Sequence, residues 1–189
     1  MSIVDEVRKI VEKQARQKSN IFDVTGFVHV KKVVEIAEKL ARQRKTDLEM
    51  ISIAAWLHDY ATFVSKEYGD NHEAKGAEYA EEILNKLKYP RDKIEIIKDA
   101  IYCHRGSKNR PKKTSVAKCL ADADAMAHFL SIPSLFYLAY ITYEIKDVKK
   151  ARDFVRGKLS RSWQKISLDG RRMIQSQHDV AEIILEGKI

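Results

Sequence analysis

Cysteine, proline and glycine are all scarce in this chain, and each scarcity excludes something. Two cysteines, Cys103 and Cys119, cannot build a disulfide framework, and their spacing fits no zinc knuckle. Three prolines and seven glycines in 189 residues leave few helix breakers. No apolar run approaches the roughly 20 residues that a membrane-spanning helix needs. The opening stretch, MSIVDEVRKIVEKQARQK, is charged throughout and lacks the apolar centre of a signal peptide. No segment alternates as a strand, and no internal repeat is visible. A reducing, cytoplasmic setting away from membranes is the expectation.

What is present is helix-forming sequence. Apolar residues recur at helical spacing in VDEVRKIVEKQARQ (4–17) and HVKKVVEIAEKLA (29–41). Asp47 is the expected N-cap of a helix running through Trp56 to His58. HEAKGAEYAEEILNKL (72–87) and RDKIEIIKDAIYCH (91–104) form two more, divided by Tyr89-Pro90. SVAKCLADADAMAHFL (115–130) is another, ended by Ser131-Ile132-Pro133. Two or three further helices are expected over 134–187, punctuated near Gly157 and Gly170. The expected fold is an all-α single domain spanning residues 1–189.

Charge is unevenly spread. The formal net charge is +8, yet Arg105 to Lys118 holds six basic residues and no acid. Lys146 to Arg172 holds ten basic and three acidic residues. Such local excess suits an anionic ligand, although a solvated helix face is the commoner explanation for the second segment.

The stretch AAWLHDYA (54–61) raises the functional question, because an apolar helix ends there in His58 and Asp59. His58 falls on the face of Ile51, Ala54 and Ala55, and His104 on that of Ile94, Ile97 and Ile101. Asp124 shares its face with Ala117, Leu120, Ala121 and Ala127, and nothing basic lies on that face except His128. A buried carboxylate without a counter-charge costs several kcal/mol, even after relaxation. A divalent cation would satisfy Asp124, His58 and Asp59 together. With His29, at the edge of its helix's apolar stripe, they supply two imidazoles and two carboxylates. That mixture suits Mn, Fe, Co, Ni, Zn or Mg better than a closed structural zinc site, and leaves places for water and substrate.

His29, the HD dipeptide at 58–59 and Asp124 within LADADAMAHF, in that order, resemble the HD-domain superfamily of metal-dependent phosphohydrolases. The resemblance covers about residues 22–131 and leaves 132–189 as a C-terminal helical extension. It implies a helical bundle around a central metal. It also makes His72, opening HEAKGA, and His104, closing its helix, candidates for a second metal. The alternative is a single ion with these two histidines contacting phosphate. The adjacent histidine pair of certain two-metal members is missing. His128 and His178 fit no position in the pattern and are expected to be structural or surface residues.

The implied chemistry is in-line attack by a metal-activated water on a phosphoester or phosphoanhydride of a nucleotide or other small phosphorylated metabolite. Asp59 would ligate metal and help orient the water, and Arg105, beside His104, would grip phosphate bidentately. Lys66 is a further catalytic candidate, and Lys108 and Arg110 are further substrate-binding ones. Glu73 and Asp122 are considered as general acid or base, with Asp122 expected to point away from Asp124. Two rivals stand beside this. One is a di-iron oxygenase or lyase on the same architecture. The other is a regulatory module binding a nucleotide, or gripping nucleic acid through residues 146–172. The absence of a reader motif disfavours nucleic acid. A homo-oligomer is left open.

Overall fold

The computed structural model describes residues 1–20, 22–105 and 110–186. Its first half comprises α1 (Ile3–Ala15), α2 (Asp23–Arg44), α3 (Leu48–Leu57), α4 (Tyr60–Val64) and α5 (His72–Lys86). Then follow α6 (Arg91–Cys103), α7 (Ser115–Leu130), α8 (Ile132–Tyr137), a π turn (Leu138–Thr142), α9 (Val148–Lys165), α10 (Leu168–Met173) and α11 (Gln175–Glu186). No strand occurs among the described residues, so the all-α expectation holds.

Local chemistry sets the helix ends. Ser2 and Asp5 form a reciprocal capping box that starts α1. Asp47 accepts a hydrogen bond from the Met50 amide, 2.9 Å away, and so starts α3 as its sequence position suggested. Lys45, at φ 53°, ends α2 in the left-handed region. The short α4 and the 3-10 turn Lys66–Tyr68 after it went unread in the sequence.

Helix α7 is the axis of the bundle: every residue from Cys119 to Phe129 is buried. Its alanines keep the helix narrow, and α2, α3, α6 and α9 all pack against it. Helix α3 is buried on all sides from Ile51 to Leu57, which explains its nearly unbroken apolar sequence. Ile94, Ile97 and Ile101 bring one stripe of α6 onto the same core with no exposed surface. Each such side chain contributes about 1.5–3 kcal/mol by leaving water. One hydrophobic cluster runs from Val7 in α1 to Leu185 in α11, so residues after 131 share the core of the preceding helices. No single helix among the described residues is long and apolar enough to cross a membrane.

Helix α9 departs from expectation, because it runs unbroken through Gly157. A Cβ on Gly157 would lie 3.2 Å from Nη1 of Arg161, which folds back along the helix over it. The glycine makes room for a guanidinium and ends nothing.

Candidate metal centre

Five parts of the fold deliver the polar residues to one place. His29 comes from the first half of α2, and His58 and Asp59 from the break between α3 and α4. His72 opens α5, His104 caps the C-terminus of α6, and Asp124 lies within α7. Each sits where an apolar helical face stops or is interrupted, so packing of the faces brings the polar ends together.

Asp59 is the hub. Its Oδ2 lies 3.4 Å from His58 Nε2 and 4.0 Å from His29 Nε2. Its Oδ1 lies 3.5 Å from His72 Nε2 and 3.7 Å from His104 Nε2. Asp124 Oδ1 lies 3.2 Å from His29 Nε2. Ligand atoms bound about 2.0–2.2 Å from a common ion stand roughly 3–3.5 Å apart at its coordination angles. Three of the five separations, 3.2, 3.4 and 3.5 Å, have that spacing, and those of 3.7 and 4.0 Å lie a few tenths of an ångström beyond it. Two groups of three donors meet at Asp59: one with His29 and His58, the other with His72 and His104.

The backbone fixes which ring nitrogens face inward. Nδ1 of His58 lies 2.8 Å from the Ala55 carbonyl oxygen, and Nδ1 of His104 lies 2.5 Å from that of Ile101. Nδ1 of His72 lies 3.0 Å from the Gly69 oxygen. A carbonyl only accepts, so each Nδ1 carries a proton and each Nε2 is the nitrogen left facing Asp59, able to ligate an ion once it carries no proton itself. His58 Nε2 is buried and has no hydrogen-bond partner, which is costly unless an ion or proton occupies it. This orphaned nitrogen is the observation that fits a metal here.

The electrostatics point the same way. Burial opposes charge on His58, but Asp59 and then Asp124 outweigh it and raise the imidazole above its ordinary value. Burial, with His58 added, instead pushes His104 down to about 4. Burial works against both carboxylates, yet His58 holds Asp59, and Lys165 with His29 holds Asp124, well below the usual range. The field that favours a proton on His58 favours a divalent cation at the same place.

A cavity of about 780 Å³ opens over these donors, lined by His29, Asp59, His72, His104 and Asp124 and by Arg105. Arg105 thus lines the cavity, and its Nη1 donates to the Asp70 carbonyl and to Glu73, the latter at 3.2 Å.

Other candidates lie elsewhere. Arg110 donates to Glu73 at 3.2 Å and to the Tyr102 carbonyl at 2.8 Å, lies over the Tyr102 ring, and does not line the cavity. Its role is to neutralise Glu73, which is buried and engaged by both arginines, and so is poorly placed as a general acid or base. Lys66 is exposed on the 3-10 turn after α4, also outside the cavity lining, because the chain has already turned away from the Asp59 hub. Lys108 lies outside the described residues. Asp122 points away from Asp124, as expected, and pairs with Arg44 at 2.6 Å. Cys103 is in the core.

Two parts of the site escaped sequence reasoning. His128 is buried beside the donors, with its ring stacked on His29 at 5.1 Å and its Nδ1 2.8 Å from Ser162 Oγ. It sits one turn after Asp124 on the same face, and that i, i+4 spacing was the available signal. His178, by contrast, is structural, stacked on Trp163 at 3.9 Å. The larger omission is α9: Lys158, Arg161 and Lys165 line the cavity, and Lys165 Nζ lies 3.1 Å from Asp124 Oδ2. Burial lowers Lys158, while Asp124 and Asp59 oppose that shift. The basic segment that resembled a solvated face is in part a wall of the site.

Comparison with known proteins agrees with this geometry. Residues 26–128 match the HD domain family. A crystal structure of a predicted HD superfamily hydrolase from an uncultured Thermotogales bacterium superposes with a TM-score of 0.59 at 26% identity, covering 82% of this chain and 84% of that one. A protein of Lactobacillus plantarum superposes with a TM-score of 0.72 over 97% of this chain and 93% of its own, and its 17% identity speaks for the fold alone. An uncharacterized protein of Clostridium beijerinckii is 30% identical over 92 residues, 49% of this chain and 56% of that protein's length. The family match spans more than half the chain and encloses the donors His29, His58, Asp59, His72, His104 and Asp124, all of which face one centre: the chain belongs to the HD domain family.

Proposed function

We propose that the protein is a divalent-metal-dependent phosphohydrolase that cleaves a phosphoester or phosphoanhydride of a nucleotide or other small phosphorylated metabolite. The observation carrying this is the position of Asp59, with one imidazole pair at each carboxylate oxygen, beneath a cavity walled by cations. The hydrolase named among the structural relatives supports the same reaction class. The donors would hold one ion through His29, His58, Asp59 and Asp124, with Asp59, His72 and His104 able to hold a second. A bound divalent ion acidifies water and polarises a phosphoryl oxygen.

The remaining roles belong to the chain itself. Asp59 bridges the donor groups and is placed to orient the attacking water. Arg105, next to His104 in the chain, and Lys165, beside Asp124, both line the cavity and neutralise phosphate charge. The buried Glu73 holds Arg105 in position.

The test is hydrolysis of a nucleotide and phosphoester panel with Mn, Co, Ni or Mg added to metal-stripped protein. Turnover that needs metal and disappears in Asp59→Asn supports the proposal. Turnover that survives in Asp59→Asn, or none with any substrate and metal, contradicts it.

A further inference from the structure

Helix α9 presents Lys158, Arg161 and Lys165 at positions i, i+3 and i+7, on one face, into the cavity above Asp124. Three cations in a row repel one another, and such an arrangement is destabilising without anions between them. Lys165 has Asp124. Lys158 and Arg161 make no ion pair or side-chain hydrogen bond among the described residues. The helix even keeps a glycine at 157, where alanine would be favoured by about 0.5–1 kcal/mol, and the Arg161 guanidinium lies over it.

The charge count makes the same point. Arg105 is held by Glu73; the four other lining cations, Lys112 and the three of α9, face two carboxylates, Asp59 and Asp124, and each divalent ion at the donors would add a further +2. A phosphate monoester brings only about −1.5 to −2. A single phosphoryl group at the Asp59 hub would leave Lys158 and Arg161 unmatched.

We infer that Lys158 and Arg161 form a second phosphate subsite, so that the substrate carries at least two linked phosphoryl groups, as an organic di- or triphosphate does. This rests on the hydrolase proposal for the site and narrows its substrate. The attacked phosphorus lies at the metal centre beside Lys165, and the next phosphoryl groups run along α9. Leu135, Leu138 and Tyr143 line the same cavity and supply an apolar surface for the organic part.

Calorimetry on the full chain, stripped of metal, tests the subsite with inorganic orthophosphate and tripolyphosphate as probes. Tripolyphosphate is expected to bind at least tenfold more tightly than orthophosphate. The double variant Lys158→Met, Arg161→Met should lose that advantage while its orthophosphate affinity and Mn affinity stay within about twofold of wild type. Lys158 is partly buried and Arg161 is exposed, so the substitutions remove no core packing, and thermal unfolding of the variant verifies its fold. Equal affinity for the two anions, or a tripolyphosphate advantage that survives in the double variant, overturns the inference. The two proposals fail separately. Metal-dependent turnover of monoesters together with equal anion affinities sinks the subsite alone. Selective tripolyphosphate binding by a chain that hydrolyses no phosphoester sinks the hydrolase alone.

Discussion

A Cβ placed on Gly76 would lie 3.1 Å from the carbonyl oxygen of His58. The same atom would meet Ile101 at 3.2 Å, so α5 approaches the α3–α4 break as closely as its backbone permits. Gly76→Ala should therefore push on the turn that carries His58 and Asp59. The expected cost is about 1–3 kcal/mol of stability, with weakened metal binding. Chemical denaturation and metal titration check this. A variant with wild-type stability and metal affinity would show that the turn has slack.

Asp122 and Asp124 stand two residues apart and should behave oppositely. Asp122 is buried and takes hydrogen bonds from Arg44, Ser167 Oγ and the Ser167 amide, tying α7 to α2 and to the start of α10. Arg44→Ala leaves it without its cation and should cost about 3 kcal/mol, with metal content retained. Asp124→Asn should instead keep most of the stability and lose metal affinity. Unfolding curves and metal analysis of the two variants separate these effects. Loss of metal in Arg44→Ala while folded would contradict the division.

Metal uptake should depend on pH with a definite sign. The Asp59 carboxylate raises His58 above its ordinary value, so its Nε2 holds a proton near neutrality in the metal-free chain. An ion can bind only after that proton leaves. Affinity should rise with pH through the neutral range, with a proton released per ion bound at the His58 nitrogen. Calorimetry in buffers of different ionisation enthalpy measures the release. A pH-independent affinity with no proton release would contradict the proposed role of His58.

Much of the framework was legible because buried faces leave a period in the sequence. Helices α3, α5, α6 and α7 lie within a residue or two of where spacing and caps put them. His58, His104 and Asp124 could be placed because each interrupts an apolar stripe. The part missed was missed for a physical reason. Lys158, Arg161 and Lys165 follow the helical period that a solvated face also follows, and periodicity does not distinguish water from a water-filled cavity. Arg110 was misplaced because its partner, Glu73, lies 37 residues away and its burial leaves no local mark. His128 was hidden within a helix so uniformly buried that an imidazole there resembles core.

The central claim is that Asp59 joins two groups of imidazoles into one metal centre. Metal-to-protein ratio, measured by mass spectrometry after Mn loading and desalting, tests it most directly. The account predicts about two ions per wild-type chain, about one in the double variant His72→Ala, His104→Ala, and almost none in folded Asp59→Ala. Full metal content in Asp59→Ala would contradict it.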